Sequence, residues 1–351
     1  MRKMATVSVN QPKHIDQAAI GQLMQVGGGM LYSAALYTAT KLEIPDHLGE
    51  VPRSVAELAS ATHCNEDALY RLLRALSAIG MFEEVKPRTF ANTPPTEYLR
   101  SGVPGSVRDS VLWISNPFHF NVWKELTYSV KTGEPAIDHI YGKPCFEVLE
   151  MLPDVAEEFN AGMTALSAKI VPAVLDAYDF SGIKTLMDVA GGHGFVLCEI
   201  LHSNPKMKGV IFDIPQVIEG AKCRVCDLKL ERRCTPLAGN FFEAIPAGAD
   251  AYYFQHIIHD WNDEKCLTIL RNAHRALEGV KNGKIIVVDC VLPENSEPHF
   301  GKLLDLEMLL MPGGRERTEK EFRALFVKAG FEITKIVSTK VSESVIEARP
   351  V

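Results

Sequence analysis

The chain has 351 residues, 46% hydrophobic and 23% charged, with a formal net charge of −7. That length predicts two domains with packed cores, and the acidic balance argues against nucleic acid as the main partner, because phosphate binding needs a basic face. No apolar run reaches the ~18–20 residues that span a bilayer and the first residues lack a signal-peptide core, so a cytoplasmic protein is expected.

Residues 1–14 are polar and uneven and are expected to form a disordered tail. From 15 to 48 the apolar positions Ile20, Leu23, Met24, Leu31, Ala34, Ala35 and Leu42 recur near helical spacing, and the three glycines 27–29 predict a break or a close helix crossing. Ser54 and Glu57 form a capping box that opens a short helix; a second helix starts at Asn65 and ends near Gly80. Residues 81–85 and 90–93 frame a turn at Lys86 and Pro87, a small β-wing. Helix, helix and wing make residues 15–105 a winged helix. Arg71 and Arg74 on its second helix invite a DNA-binding reading, but Glu66 and Asp67 dilute them, and a dimerisation or lid role is preferred.

Residues 106–178 continue helical. Trp113, Phe118, Phe120, Trp123 and Tyr128, followed by Tyr141, Phe146, Phe159 and Met163, serve equally well as core or as a wall against a flat aromatic ligand. The eight cysteines read as free thiols. Cys223, Cys226 and Cys234 raise the question of zinc, but no fourth ligand stands at a usual spacing, although His202 or a partner chain could supply one. A reduced surface loop is the default there, and no metal is expected.

From residue 182 strand and helix patterns alternate, which predicts a mostly parallel sheet with helices on both faces and a Rossmann-like α/β class for 179–351. Candidate strands are 185–189, 209–213, 250–256 and 284–290, with a late pair near 331–338 and 343–348. The stretch from Leu186 to Phe195 holds Asp188, Gly191, Gly192 and Gly194, and reads as a buried strand, a glycine turn and a helix start. Such a turn lies at the carboxyl edge of a parallel sheet, where ligands bind. Asp213 follows Gly194 by 19 residues, the distance at which an acid meets the ribose of a nucleotide cofactor. The third glycine of the dinucleotide fingerprint is missing, and Asp188 would repel a phosphate. S-adenosylmethionine, with its sulfonium and α-amino group, is favoured over a dinucleotide; an ordinary tight turn stays open.

Gly239, Asn240, Phe241 and Phe242 sit where an amide and an aromatic face could hold an adenine, or form an ordinary turn over two core phenylalanines. The run from Gln255 to Asp263 contains His259, Asp260 and Trp261. It follows a strand and precedes a helix over 262–278, for which Asp260 is the expected cap with Asp263 at N3. His259 therefore falls at the ligand-binding edge, either as a structural histidine or as a catalytic one. Asp289 and Glu316 end up at the same edge and could orient it.

These residues together resemble the plant-type small-molecule O-methyltransferases, a group with caffeic acid, flavonoid and acetylserotonin enzymes. The match runs from the winged helix through the Asp188–Gly194 turn, Phe212 and Asp213, Gly239–Phe242 and His259–Trp261 to Gly313–Thr318. The resemblance implies a winged-helix homodimer and a metal-independent methyl transfer from S-adenosylmethionine to a small aromatic hydroxyl. It implies His259 as general base flanked by Asp289 and Glu316. Cofactor contacts would fall to Ser167, Asp188, the glycines, Asp213, Asn240, Phe241, Gln255 and Asp260. Phe159, Met163, Met308 and Met311 would line the acceptor pocket. Asn240 stands where relatives commonly have aspartate, Asp289 where plant members have glutamate, and Gln255 where they have a lysine. Some relatives on the scaffold have become decarboxylases, hydroxylases or cyclases, usually after altering the base, which His259 argues against. A ligand-binding regulatory dimer is the non-catalytic alternative. Glu307 stands in the pocket helix where relatives are apolar; it either meets an amine or hydroxyl or faces solvent.

Overall fold

The computed structural model describes residues 16–351, and the expected tail over 1–14 lies outside them. The chain forms two compact units, divided after Gly102.

In the first unit the glycine run does break a helix: Gly28 caps Gln17–Gly27 and precedes Gly29–Lys41. The Ser54–Glu57 capping box is formed in full, and Asn65 accepts from the backbone N–H of Ala68 to start Glu66–Ser77. The wing consists of β2 (Phe82–Lys86) and β3 (Thr89–Asn92), and a two-residue β1 (Arg53–Ser54), not foreseen, pairs with β3. Ile44, Leu48, Val55, Leu58, Leu73 and Phe90 are fully buried between these elements. The helix Gln17–Gly27 buries nothing: Leu23, Met24 and Val26 are more than 70% exposed.

In the second unit the helices between 108 and 177 precede an eight-stranded sheet. Its strands are β4 (Thr185–Val189), β5 (Lys208–Asp213), β6 (Cys234–Ala238), β7 (Ala251–Gln255), β8 (Lys284–Leu292), β9 (Arg317–Thr318), β10 (Phe331–Ser338) and β11 (Glu343–Pro350). The order is β10-β11-β8-β7-β4-β5-β6, with β9 beside β8; β11 runs antiparallel to both of its neighbours, β10 and β8, and the other pairs are parallel. The chain runs outward from β4 through β5 and β6 and then returns to β7 on β4's other side, so the switch point lies between the ends of β4 and β7, where α/β sheets bind ligands.

Alternation along the strands explains the layers. Leu186, Tyr253, Ile286 and Val288 join one core with the helices 153–177 and 195–203, while Met187, Tyr252, Phe254 and Val287 join the other with 263–276 and 319–328. Strands buried on both faces read as continuous apolar runs, as Ile285–Val288 does. The strand β6 is not among the strands expected from the sequence, because Cys-Thr-Pro-Leu-Ala carries little β-propensity; as an edge strand it tolerates Pro236. Cys223 and Cys226 lie on the helix Pro215–Asp227 rather than in a loop, and Cys234 is buried in β6.

Candidate active site

The strand β4 ends in a turn whose backbone is pulled tight. Ala190 adopts φ 58°, a conformation a residue with a Cβ rarely holds, followed by Gly192 and Gly194 in the same region. The glycines are required by space as well: a Cβ on Gly194 would overlap Ile211, and one on Gly191 would lie 2.8 Å from the carboxyl carbon of Asp188. Asp213, at the end of β5, accepts from the N–H of Gly192 at 2.8 Å and from that of Ile214 at 2.7 Å, so it braces the turn from the neighbouring strand.

Asp188 is 3% exposed, and its Oδ2 has no hydrogen-bond partner. Burial, and then the nearby Asp213 carboxylate, push its pKa up to about 8. A buried carboxyl with one oxygen unpaired, beside Asp213 and a glycine turn, fits a nucleoside with a cationic group, which would restore its charged form; it does not fit a pyrophosphate. On the facing side Ser167 accepts from Gln255 Nε2 at 3.2 Å, and Gln255 Oε1 accepts from Tyr253 at 2.8 Å. Ser167 lies on the helix Pro153–Ala177, which also carries Met163 and Phe159 four and eight residues earlier, all three on one face.

Asn240 closes its own turn: its Oδ1 accepts from the N–H of Phe242 at 2.9 Å. Gly239 allows the ring of Phe212 to approach, and buried Asn272 donates to the carbonyls of Phe241 at 2.7 Å and Phe242 at 3.1 Å, fixing both aromatic residues.

At the end of β7, His256 is also left-handed (φ 55°) and a single 3₁₀ turn, Ile258–Asp260, follows. That turn corrects the expected capping. The following helix is Asp263–Ala276, and its cap is Asn262, which accepts from Lys265 N–H at 3.0 Å; Asp260 stays in the 3₁₀ turn with its carboxylate 3.5 Å from His259 Nε2. His259 is 4% exposed, and its Nδ1 lies 2.6 Å from Glu316 Oε1. Glu316 is in turn placed by its backbone N–H, which donates to Asp305 at 2.8 Å. Asp289 is fully buried with neither oxygen hydrogen-bonded; it acts on His259 through its charge alone. Burial disfavours the imidazolium, but Glu316 and then Asp289 outweigh it and raise the His259 pKa to about 10.

Some residues that pack around these side chains have no local signal. His256 stacks on His259 with ring centres 4.9 Å apart and lies 3.3 Å from Glu343. Arg317 is 1% exposed and donates to the carbonyls of Ile258 and Trp261, both at 3.0 Å, and to Asp263 at 2.8 Å, so it ties down the loop that carries His259. Glu307 does not face solvent and its carboxylate is not free: it receives Trp123 Nε1–H at 2.5 Å and lies 2.7 Å from His119 Nε2. Met308 and Met311 are buried beside it, Met311 in one cluster with Trp113, Phe159 and Met163.

The chain matches two family models, an O-methyltransferase dimerisation domain over residues 24–101 and an O-methyltransferase domain over 123–332. It is 37% identical to a phenazine O-methyltransferase of Lysobacter antibioticus over 94% of this chain and 96% of that one. It is 32% identical to an aclacinomycin 10-hydroxylase of Streptomyces purpurascens over 94% of this chain and 89% of the other. The solved structure of human N-acetylserotonin methyltransferase with S-adenosylmethionine superposes with a TM-score of 0.87 at 25% identity, covering 97% of this chain and 99% of that one. The chain belongs to the S-adenosylmethionine-dependent O-methyltransferases, with the family's dimerisation domain followed by its catalytic domain.

Proposed function

We propose that this protein methylates a hydroxyl of a small aromatic metabolite without a metal, with His259 as general base. The observation that carries the reading is the His259–Glu316 pair at the switch-point edge, beside the turn of Asp188 and Asp213. Names among the relatives, such as the phenazine O-methyltransferase, support an aromatic acceptor. One relative named as a hydroxylase marks the competing chemistry, and the paired base favours methyl transfer.

Asp188 and Asp213 would hold the amino group and ribose of the cofactor, Ser167 and Gln255 its methionine end, and Phe241, Asn240 and Asp260 the adenine side. When bound, S-adenosylmethionine supplies an electrophilic methyl on a sulfonium whose positive charge works against protonation of His259. The chain's own part is to move the acceptor's proton. A phenol near pKa ~10 differs by about 3.5 units from an ordinary imidazole, so full transfer to a free histidine would cost about 5 kcal/mol. Glu316 and Asp289 close that gap by stabilising the charged ring, and Glu316 fixes the tautomer that leaves Nε2 as the acceptor of the proton. Phe159, Met163, Met308 and Met311 would exclude water around the acceptor.

The exposed apolar face of Gln17–Gly27 and the helix after it, within the dimerisation domain, fits burial against a second copy. We place the protein in the cytoplasm on its eight unpaired cysteines. The test is methyl transfer from labelled S-adenosylmethionine to naphthols. His259→Ala should lower the rate by ~10³-fold while binding S-adenosylhomocysteine as the wild type does. Wild-type rates in that variant would sink the base assignment.

A further inference from the structure

His119 sits in a wall of the catalytic unit that no part of the reaction described above uses. It is 4% exposed, on the helix Pro117–Trp123, with its ring edge against Trp113 at 4.2 Å between centres. Trp113 meets Phe159 at 5.1 Å, and Gly162 lets the indole press onto the helix Pro153–Ala177, where a Cβ would lie 2.6 Å from Trp113 Cβ. The polar partners come from the other side. The Glu307 carboxylate takes the indole N–H of Trp123 on one oxygen and faces His119 Nε2 with the other.

That arrangement assigns the proton. A carboxylate oxygen can only accept here, so Nε2 carries the hydrogen, and in the neutral ring Nδ1 carries the lone pair. Nδ1 is buried and has no hydrogen-bond partner. A buried nitrogen without a partner is costly, and a donor brought to it by a ligand would remove that cost.

The cluster is connected to the turn of His259 through one helix. Glu307 stands on the helix Gly301–Leu310, whose chain continues through Met311 to Gly314, packed directly on the His259 carbonyl. Burial pushes the Cys145 thiol up, and Asp260 and Glu307 both add to it, so the carboxylate beside the base and the one behind His119 act on a single side chain.

We propose that His119, held by Glu307 and Trp123, is a specificity subsite that receives a hydrogen-bond-donating substituent of the acceptor, an aromatic amine or a second hydroxyl. The proposal rests on the reading of the protein as a methyltransferase of aromatic hydroxyls. The lone pair accepts from N–H or O–H, while the carboxylate behind the ring repels an anionic substituent. Acceptors bearing a carboxylate near this position are therefore disfavoured.

The test uses the full chain, S-adenosylmethionine and a set of 2-naphthols, bare or carrying an amino, hydroxyl or carboxylate group at each position of either ring. The wild type should prefer its best amino or hydroxyl member over the bare naphthol by about 10- to 100-fold in kcat/KM, mainly through KM. His119→Phe keeps the packing on Trp113 and should collapse that ratio to within about threefold, and Glu307→Gln should do the same in part by releasing the ring. S-adenosylhomocysteine affinity and melting temperature report whether each variant folds, and if His119→Phe does not, Glu307→Gln decides. No preference in the wild type, a preference for the carboxylate, or equal losses on every naphthol in the variants would overturn the proposal. Turnover of no naphthol by a protein that binds S-adenosylhomocysteine would instead overturn the aromatic-hydroxyl reading, and this proposal with it.

Discussion

Gly314 packs so closely on His259 that a Cβ at position 314 would overlap the His259 carbonyl oxygen, while the next residue, Arg315, donates its N–H to that same oxygen at 2.8 Å. The obstacle is backbone, which cannot turn aside as a side chain can. Gly314→Ala should therefore displace His259, the proposed base. A shift of about 1 Å at the reacting group can lower kcat by ~10²-fold, and the overpacking should cost about 1–3 kcal/mol of stability. Steady-state kinetics and a melting curve check both; a fully active, equally stable variant would contradict the packing.

Glu316 should be visible in the pH profile. Its charge, followed by that of Asp289, holds the His259 pKa at about 10 against the opposing effect of burial. As the proposed base, His259 works only when neutral, so activity should rise with pH through that pKa. Glu316→Gln removes the largest raising influence, and the acid limb of kcat/KM should move to lower pH while kcat drops by ~10- to 100-fold from lost orientation. An unmoved or upshifted limb would refute this account.

Asp188 links the proposed cofactor site to stability. Its folded pKa, about 8, stands above the ordinary value of 3.8 because of burial and Asp213. A raised carboxyl gives the folded state stability that is complete below the ordinary value and is lost as pH climbs through the folded one. The ligand-free protein should lose a few kcal/mol on this account between about pH 4 and pH 8. Asp188→Asn should flatten that dependence and melt higher at pH 8, yet bind S-adenosylhomocysteine at least ~10-fold more weakly. Melting curves from pH 5 to pH 9 with parallel calorimetry test both halves.

Arg317 holds the loop of His259 by its fork of donors. Arg317→Ala leaves the carbonyls of Ile258 and Trp261 without their buried partner and should cost about 3–5 kcal/mol. Arg317→Lys keeps the charge but cannot reach Ile258, Trp261 and Asp263 together, so it should also melt lower than wild type and lose kcat. Chemical denaturation of the two variants would show it; a lysine variant as stable and active as the wild type would mean the charge alone suffices.

What could be read from the sequence was whatever depends on neighbours a few positions apart. The Ser54–Glu57 box, the Asn65 cap, the helix break at Gly28 and the Asp188–Gly194 turn are set by local hydrogen bonds and by residues without a Cβ, so composition and spacing determine them. The buried strands β5, β7 and β8 show as apolar runs because both faces are covered, whereas β6, an edge strand with a proline, does not. The spacing of Asp260 suits a cap, but burial of His259 in the 3₁₀ turn passes that role to Asn262. Glu307 and His119 are 188 positions apart, and nothing in either segment announces the other. Only packing of the aromatic helices against Gly301–Leu310 brings the carboxylate to the imidazole, because a side-chain pair across elements is decided by the tertiary contact and not by either local pattern.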